Sequence, residues 1–182
     1  MNRATQNLED DHIYILRLID VMQAMTEHSA PEIAHLEECV ALIRNYADGL
    51  HHAKEESLLF PLMAERGFST TQGPVAVMLQ EHTIGRNYVK GIDDNIQLLK
   101  QGDLSALNLI YSNINGYSEL LQNHIYKENT MLFRMADNAL SQSDQDSLFT
   151  QFEKLDIQPT NNNSKSDYLA RISQLEHVYK HA

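Results

Sequence analysis

The sequence predicts an all-α fold: an up-down antiparallel four-helix bundle with one or two extra C-terminal helices. Three observations lead there. Gly and Pro are scarce, 7 and 4 residues in 182, while 42% of residues are hydrophobic. Four long segments carry apolar residues at helical spacing, and strand-like alternation is weak. Short polar connections join these segments, as antiparallel neighbours require.

The first helix is expected from about Leu8 to Glu27, with Leu8, Ile15, Leu16, Ile19 and Met22 toward one side. It ends at HSAP, where Ser29 is the expected N-cap of the next helix, with Pro31 and Glu32 in its first turn. That second helix runs from about Pro31 to Arg66 and stops at Gly67. The connection FSTTQGP follows. The third helix covers about Val75 to Lys100 and ends at QGD. Asp103 or Ser105 caps the fourth, about Ala106 to Ala139. A shorter amphipathic helix, about Asp144 to Leu155, carries Leu148, Phe149, Phe152 and Leu155. PTNNNSKSD reads as a loop or linker. A last helix, about Asp167 to His181, carries Tyr168, Leu169, Ile172, Leu175 and Tyr179. The expected organisation is a bundle over residues 1–140 and a helical extension over 141–182 packed on it.

The formal net charge is −11. An acidic chain is a poor match for nucleic acid or an anionic membrane. The single cysteine, Cys39, excludes an intrachain disulfide and a thiolate metal cluster. No run approaches the roughly 18 apolar residues of a membrane span. The opening MNRATQNLEDDH lacks the apolar stretch of a leader, so the expected compartment is the cytoplasm.

Chemistry enters through a repeat. Residues 51–60 read HHAKEESLLF and residues 124–133 read HIYKENTMLF. Both follow one frame: His, two free positions, Lys, Glu, two free positions, an apolar residue, Leu, Phe. An α-helix turns about 100° per residue. On that basis His51 and Glu55 share a face with Val40, Ala47, Leu58 and Leu62. His124 and Glu128 share one with Tyr117, Met131 and Met135. His12 aligns with Leu8, Leu16 and Ile19, and His82 with Val75, Met78 and Val89. Each long helix therefore turns one His inward, and two add a Glu one turn later.

Two carboxylates buried without counter-charge cost several kcal/mol each, so they need a partner. A pair of first-row metal ions supplies it, because four imidazoles and two carboxylates suit their coordination. Glu-x-x-His, the ferritin-like pattern, occurs at Glu9–His12 and Glu32–His35, but not on the fourth helix. HExxH, the zinc-protease pattern, is absent. His28, His35, His52, His177 and His181 read as exposed. Lys54 and Lys127 read as surface partners of nearby acids. Met63, Met78, Met131 and Met135 read as core filler.

With DDHIYIL, HHAKEESLLFP, LQEHTIGR and HIYKENTMLF in this order, the chain resembles hemerythrin-like proteins, the HHE cation-binding domains, over about residues 8 to 139. The resemblance implies a non-haem di-iron centre: two iron ions bridged by oxo or hydroxo and by two carboxylates. The implied metal ligands are His12, His51, Glu55, His82, His124 and Glu128. Animal oxygen carriers have a further His where this chain has Arg86, and an Asp where it has Asn129. Four His and two Glu are closer to the bacterial iron-centre repair proteins.

The implied activity is binding or reaction with O₂, peroxide or NO in sensing or stress defence, with weak oxidase or peroxidase-type redox activity as an open possibility. Two other readings stand beside it: iron storage or donation, and a metal-stabilised module whose C-terminal helices bind a protein partner. Arg86 is expected behind the ligands, holding Asp48 or Glu81 or an anion. Tyr117 is expected near the centre, as core packing or as a hydrogen-bond donor.

Overall fold

The computed structural model describes residues 3–28, 31–157 and 163–180. The expected cap Ser29, the start of the linker PTNNNSKSD and the terminal His181 lie outside them. The described residues form the expected helical bundle. Helix α1 spans Ala4–Thr26. A continuous rod follows: α2 (Ile33–Leu42), π-helical stretches at Ile43–His52 and Glu55–Leu59, then α3 (Phe60–Glu65). Helix α4 spans Gly73–Lys100. A second rod joins α5 (Ala106–Lys127), a π-helical turn at Glu128–Leu132, and α6 (Phe133–Ala139). Helices α7 (Gln142–Ile157) and α8 (Lys165–Lys180) complete the chain.

The helix ends follow local chemistry. Gly67 and Gly102 adopt φ of 95° and 97°, a region that costs other residues energy. In each case the following amide turns back to a carbonyl of the last helical turn, Phe68 to Met63 and Asp103 to Leu98. This closure satisfies carbonyls that the helix end would leave unpaired. Ser141 and Asp144 exchange side-chain and backbone hydrogen bonds at the start of α7. Ser164 and Asp167 do the same before α8. Both are reciprocal caps. Asp103 takes the capping role before α5, accepting from the Ser105 amide.

Helices α4 and α5 lie side by side, and α1 packs against α5, α7 and α8. The apolar interior divides in two. One cluster holds Ile15, Met22, Tyr46, Leu50, Val89, Ile92, Ile114 and Leu121, with Tyr168 and Ile172 of α8. The other holds Leu8, Phe60, Met63, Val75, Met78, Phe133 and Ala136, with Leu148 and Phe152 of α7. The inward histidines fall between the clusters on every long helix.

The π-helical stretches correct the expected faces. Beyond Glu55, the residues fully buried are Leu59, Phe60 and Met63, whereas Leu58 and Leu62 are half-buried. Beyond Glu128, Leu132, Phe133 and Ala136 are buried, while Met131 and Met135 are 57% and 39% exposed. A π turn accommodates one more residue than an α turn. It therefore advances the buried face by one position, and both rods shift in the same way. No helix among the described residues is long and apolar enough to cross a membrane.

Candidate metal centre

His12, His51, Glu55, His82, His124 and Glu128 meet in the polar layer between the two clusters. None is more than 2% exposed. His12 Nε2 lies 3.0 Å from His51 Nε2, and His82 Nε2 lies 3.1 Å from His124 Nε2. The glutamates stand between these pairs. Glu55 sets Oε1 3.7 Å from His51 and Oε2 3.5 Å from His82. Glu128 sets Oε2 3.3 Å from His12 and Oε1 3.3 Å from His124. All four carboxylate oxygens are buried without a hydrogen-bond partner. Such groups are costly to leave unpaired. Orphaned oxygens beside inward imidazole nitrogens are the donor set of a first-row cation.

The outer ring nitrogens are held from behind, which fixes which nitrogen faces inward. His12 Nδ1 pairs with Asn129 at 2.7 Å, His82 Nδ1 with Glu56 at 2.7 Å and His124 Nδ1 with Glu81 at 2.9 Å. His51 Nδ1 lies 3.5 Å from Asp11. The repeated Lys now has an explanation. Lys54 pairs with Asp11 at 2.8 Å, and Lys127 pairs with Glu81. Each neutralises the acid behind the histidine three residues before it.

A pseudo-twofold relation follows. Asp11–His12 and Glu81–His82 match one another, as do His51–Lys54–Glu55–Phe60 and His124–Lys127–Glu128–Phe133. The phenyl rings obey it too: Phe133 stacks on His12 and Phe60 on His82, with centroids 5.6 and 6.1 Å apart.

Several residues depart from expectation. Lys54 is fully buried, not on the surface, and also pairs with Asp156 of α7 at 2.6 Å. Lys165 of α8 reaches Asp11 at 2.5 Å. His52 is buried rather than exposed. It offers a ring nitrogen close to the donor atoms of Glu55, His82 and His124. Its ring is covered by His82, on which it stacks with centroids 3.7 Å apart. His35 is only partly exposed and pairs with Tyr179 at 2.8 Å. Arg86 does hold Asp48, at 2.9 Å, but its second partner is Glu56 at 2.7 Å rather than Glu81. The spacing of acid before His on helices one and three, and Lys after His on two and four, was the available signal for Asp11, Glu81 and Lys54.

The electrostatics are unequal. Burial, then the charge of Glu128, pushes the Glu55 carboxyl well above the ordinary carboxylate range. For Glu128, burial is outweighed by His124 and His12, and its pKa falls well below that range. Burial and the neighbouring His12 lower His51 to about 4. Burial and His82 lower His52 to about 3. For His124, burial is overcome by Glu128 and Glu81, which raise it to about 9. Neutral imidazoles are the metal-binding form.

A cavity of about 110 Å³ opens beside this layer. His52, His82 and His124 are on its wall. Val89, Tyr117 and Leu121 line it, with Arg86 and Asp48 also at its wall. Tyr117 is buried, and burial pushes its hydroxyl pKa up.

Comparison with known proteins agrees with this arrangement. Residues 3–136 match the hemerythrin family, described as the Hemerythrin HHE cation binding domain. Iron-sulfur cluster repair protein YtfE of Yersinia pestis (strain Pestoides F) is 34% identical over 89 residues. The same protein of Yersinia pseudotuberculosis serotype O:1b (strain IP 31758) is equally similar. Each alignment covers 47% of this chain and 40% of the relative. The family match takes in all four histidine-bearing helices and both glutamates, and on that ground the chain belongs to the hemerythrin family of HHE cation-binding domains.

Proposed function

We propose that the polar layer holds two iron ions, one at His12 and His51 and one at His82 and His124, with Glu55 and Glu128 each reaching both. The observation that carries this is the placement of the glutamates. Each has one oxygen toward each histidine pair, and none of the four oxygens has another partner. Iron in such a site supplies exchangeable coordination positions and a one-electron change of oxidation state.

The chain's own residues do the rest. Asp11, Glu56, Glu81 and Asn129 orient the imidazoles, and the two apolar clusters exclude bulk water. The cavity beside His82 and His124 admits molecules of a few atoms. The function we infer is binding or reaction with O₂, peroxide or NO, in sensing or stress defence. A second reading, iron donation for repair of iron centres, is favoured by the likeness to the Yersinia iron-sulfur cluster repair proteins. Residues 1–140 act as the bundle and 141–182 as an extension packed on it.

Iron counted per chain, after anaerobic loading with ferrous salt, tests the site. Two per chain are expected, and none would overturn the reading. Transfer of that iron to a chelator within minutes would favour donation. Retention during reaction with peroxide or NO would favour the ligand-binding role.

A further inference from the structure

The pseudo-twofold relation, which already pairs Glu56 with Asn129, also breaks beside the cavity. The 73-residue offset that maps His51 onto His124 maps His52 onto Ile125 and Asp48 onto Leu121. One half of the centre thus carries a fifth imidazole, and the other carries hydrocarbon. His52 lies face to face on His82, with centroids 3.7 Å apart and planes 15° apart. An imidazole binds a metal along its own plane, at about 2.0–2.1 Å. An ion in the plane of His82 therefore lies beyond bonding reach of the parallel His52 ring. His52 instead lines, with His82 and His124, the cavity in which a small molecule beside that ion would sit. Its Nδ1 lies 3.1 Å from Asp48, which Arg86 grips in turn. A carboxylate only accepts, so Nδ1 carries the hydrogen and Nε2 is left with a lone pair.

We propose that His52 is a hydrogen-bond acceptor at the His82–His124 side of the cavity, selecting small ligands that bring an O–H or N–H group, such as hydrogen peroxide, over diatomics that bring none. This rests on the dinuclear reading above. Asp48 and Arg86 are positioning residues, which act by setting the tautomer of His52. The Ile125 half offers no such acceptor, so protonated ligands are taken on one side of the centre.

The test uses the full chain loaded with iron and compares His52→Leu with wild type. The probes are hydrogen peroxide and nitric oxide. Loss of one hydrogen bond predicts a drop of about tenfold in the rate with peroxide, with nitric oxide binding changed less than about twofold. His52→Gln keeps an acceptor and restores part of the peroxide rate; it also serves if His52→Leu fails to fold. In the metal-free protein, ¹⁵N NMR should find the His52 hydrogen on Nδ1. Equal losses for both probes, no loss for either, or a hydrogen on Nε2 would overturn the assignment of His52. Failure of the dinuclear reading shows separately, as iron missing from the wild type before any probe is added.

Discussion

The buried carboxyl of Glu55 has a consequence that separates metal binding from folding. Its pKa is raised by burial and by Glu128. Between its unfolded value and its folded value, the folded chain holds a proton that the unfolded chain has released. The metal-free protein therefore loses stability through this group as pH rises. Glu55→Gln removes the titration while keeping the shape. Metal-free Glu55→Gln is expected to melt at or above the wild type, with the gap widening from pH 5 to pH 8. Loaded with iron, it should hold about one ion or fewer per chain. Thermal melts with matched metal counts check both halves. A uniform destabilisation at every pH would show that the carboxylate is structural. His51, Glu55, His124 and Glu128 stood out because a repeated frame does not arise from core packing alone, and His12 and His82 because each falls on the apolar stripe of its helix. His52 and Lys54 did not, because one position of helical phase separates a buried residue from an exposed one.

The π-helical stretches explain that phase. Fully α-helical rods would turn Met131 and Met135 inward, as a constant 100° step predicts. The π turn at Glu128–Leu132 instead delivers Leu132, Phe133 and Ala136 to the cluster of Phe60 and Met63. Inserting one alanine beside the exposed Thr130 exceeds what a single π turn absorbs and should rotate α6 by about 100°. Phe133 would then leave His12, and the buried face of α6 would meet water. Several buried apolar side chains are involved, each contributing about 1.5–3 kcal/mol. The insertion is therefore expected to abolish cooperative folding or lower Tm by more than about 10 °C. A circular-dichroism melt decides it, and an unchanged Tm would mean the rod absorbs a second extra residue without turning α6. The existence and order of the helices were legible from periodicity. The π turns were not, since one extra residue in a turn shifts the apolar stripe by one position and leaves no local motif.

In the assembled molecule, the C-terminal helices do more than cover an apolar face. Asp156 of α7 and Lys165 of α8 enter the charge network of Asp11 and Lys54, directly behind His51. Tyr168 and Ile172 fill the cluster of Tyr46 and Ile92, and Leu148 and Phe152 that of Phe60 and Phe133. Ending the chain after Leu140 leaves Lys54 and Asp11 short of partners, a loss of about 3–5 kcal/mol for a broken buried pair. The truncated chain should melt at least about 10 °C lower and release iron faster to a chelator. Equal Tm and equal iron retention would reduce these helices to an appendage. Composition and periodicity foretold two further helices. They did not foretell the reach of Asp156 and Lys165, because a contact across more than a hundred residues leaves no local pattern.

The polar layer that parts the two apolar clusters also bears on how the protein comes undone. A single interior melts as one unit, but here hydrocarbon contact is interrupted midway along every long helix. Were iron bound as proposed, ligands from all four helices would tie the halves together, and opening one would require breaking the other. Without it, each half can open locally while its neighbour stays closed. Amide hydrogen exchange should therefore show one shared opening free energy in the loaded chain. In the metal-free chain it should show two separate groups, one on each side of His12, His51, His82 and His124. Iron would then govern the cooperativity of the bundle as well as its chemistry, so that loss of metal leaves a chain whose two ends respond independently to proteases and chaperones.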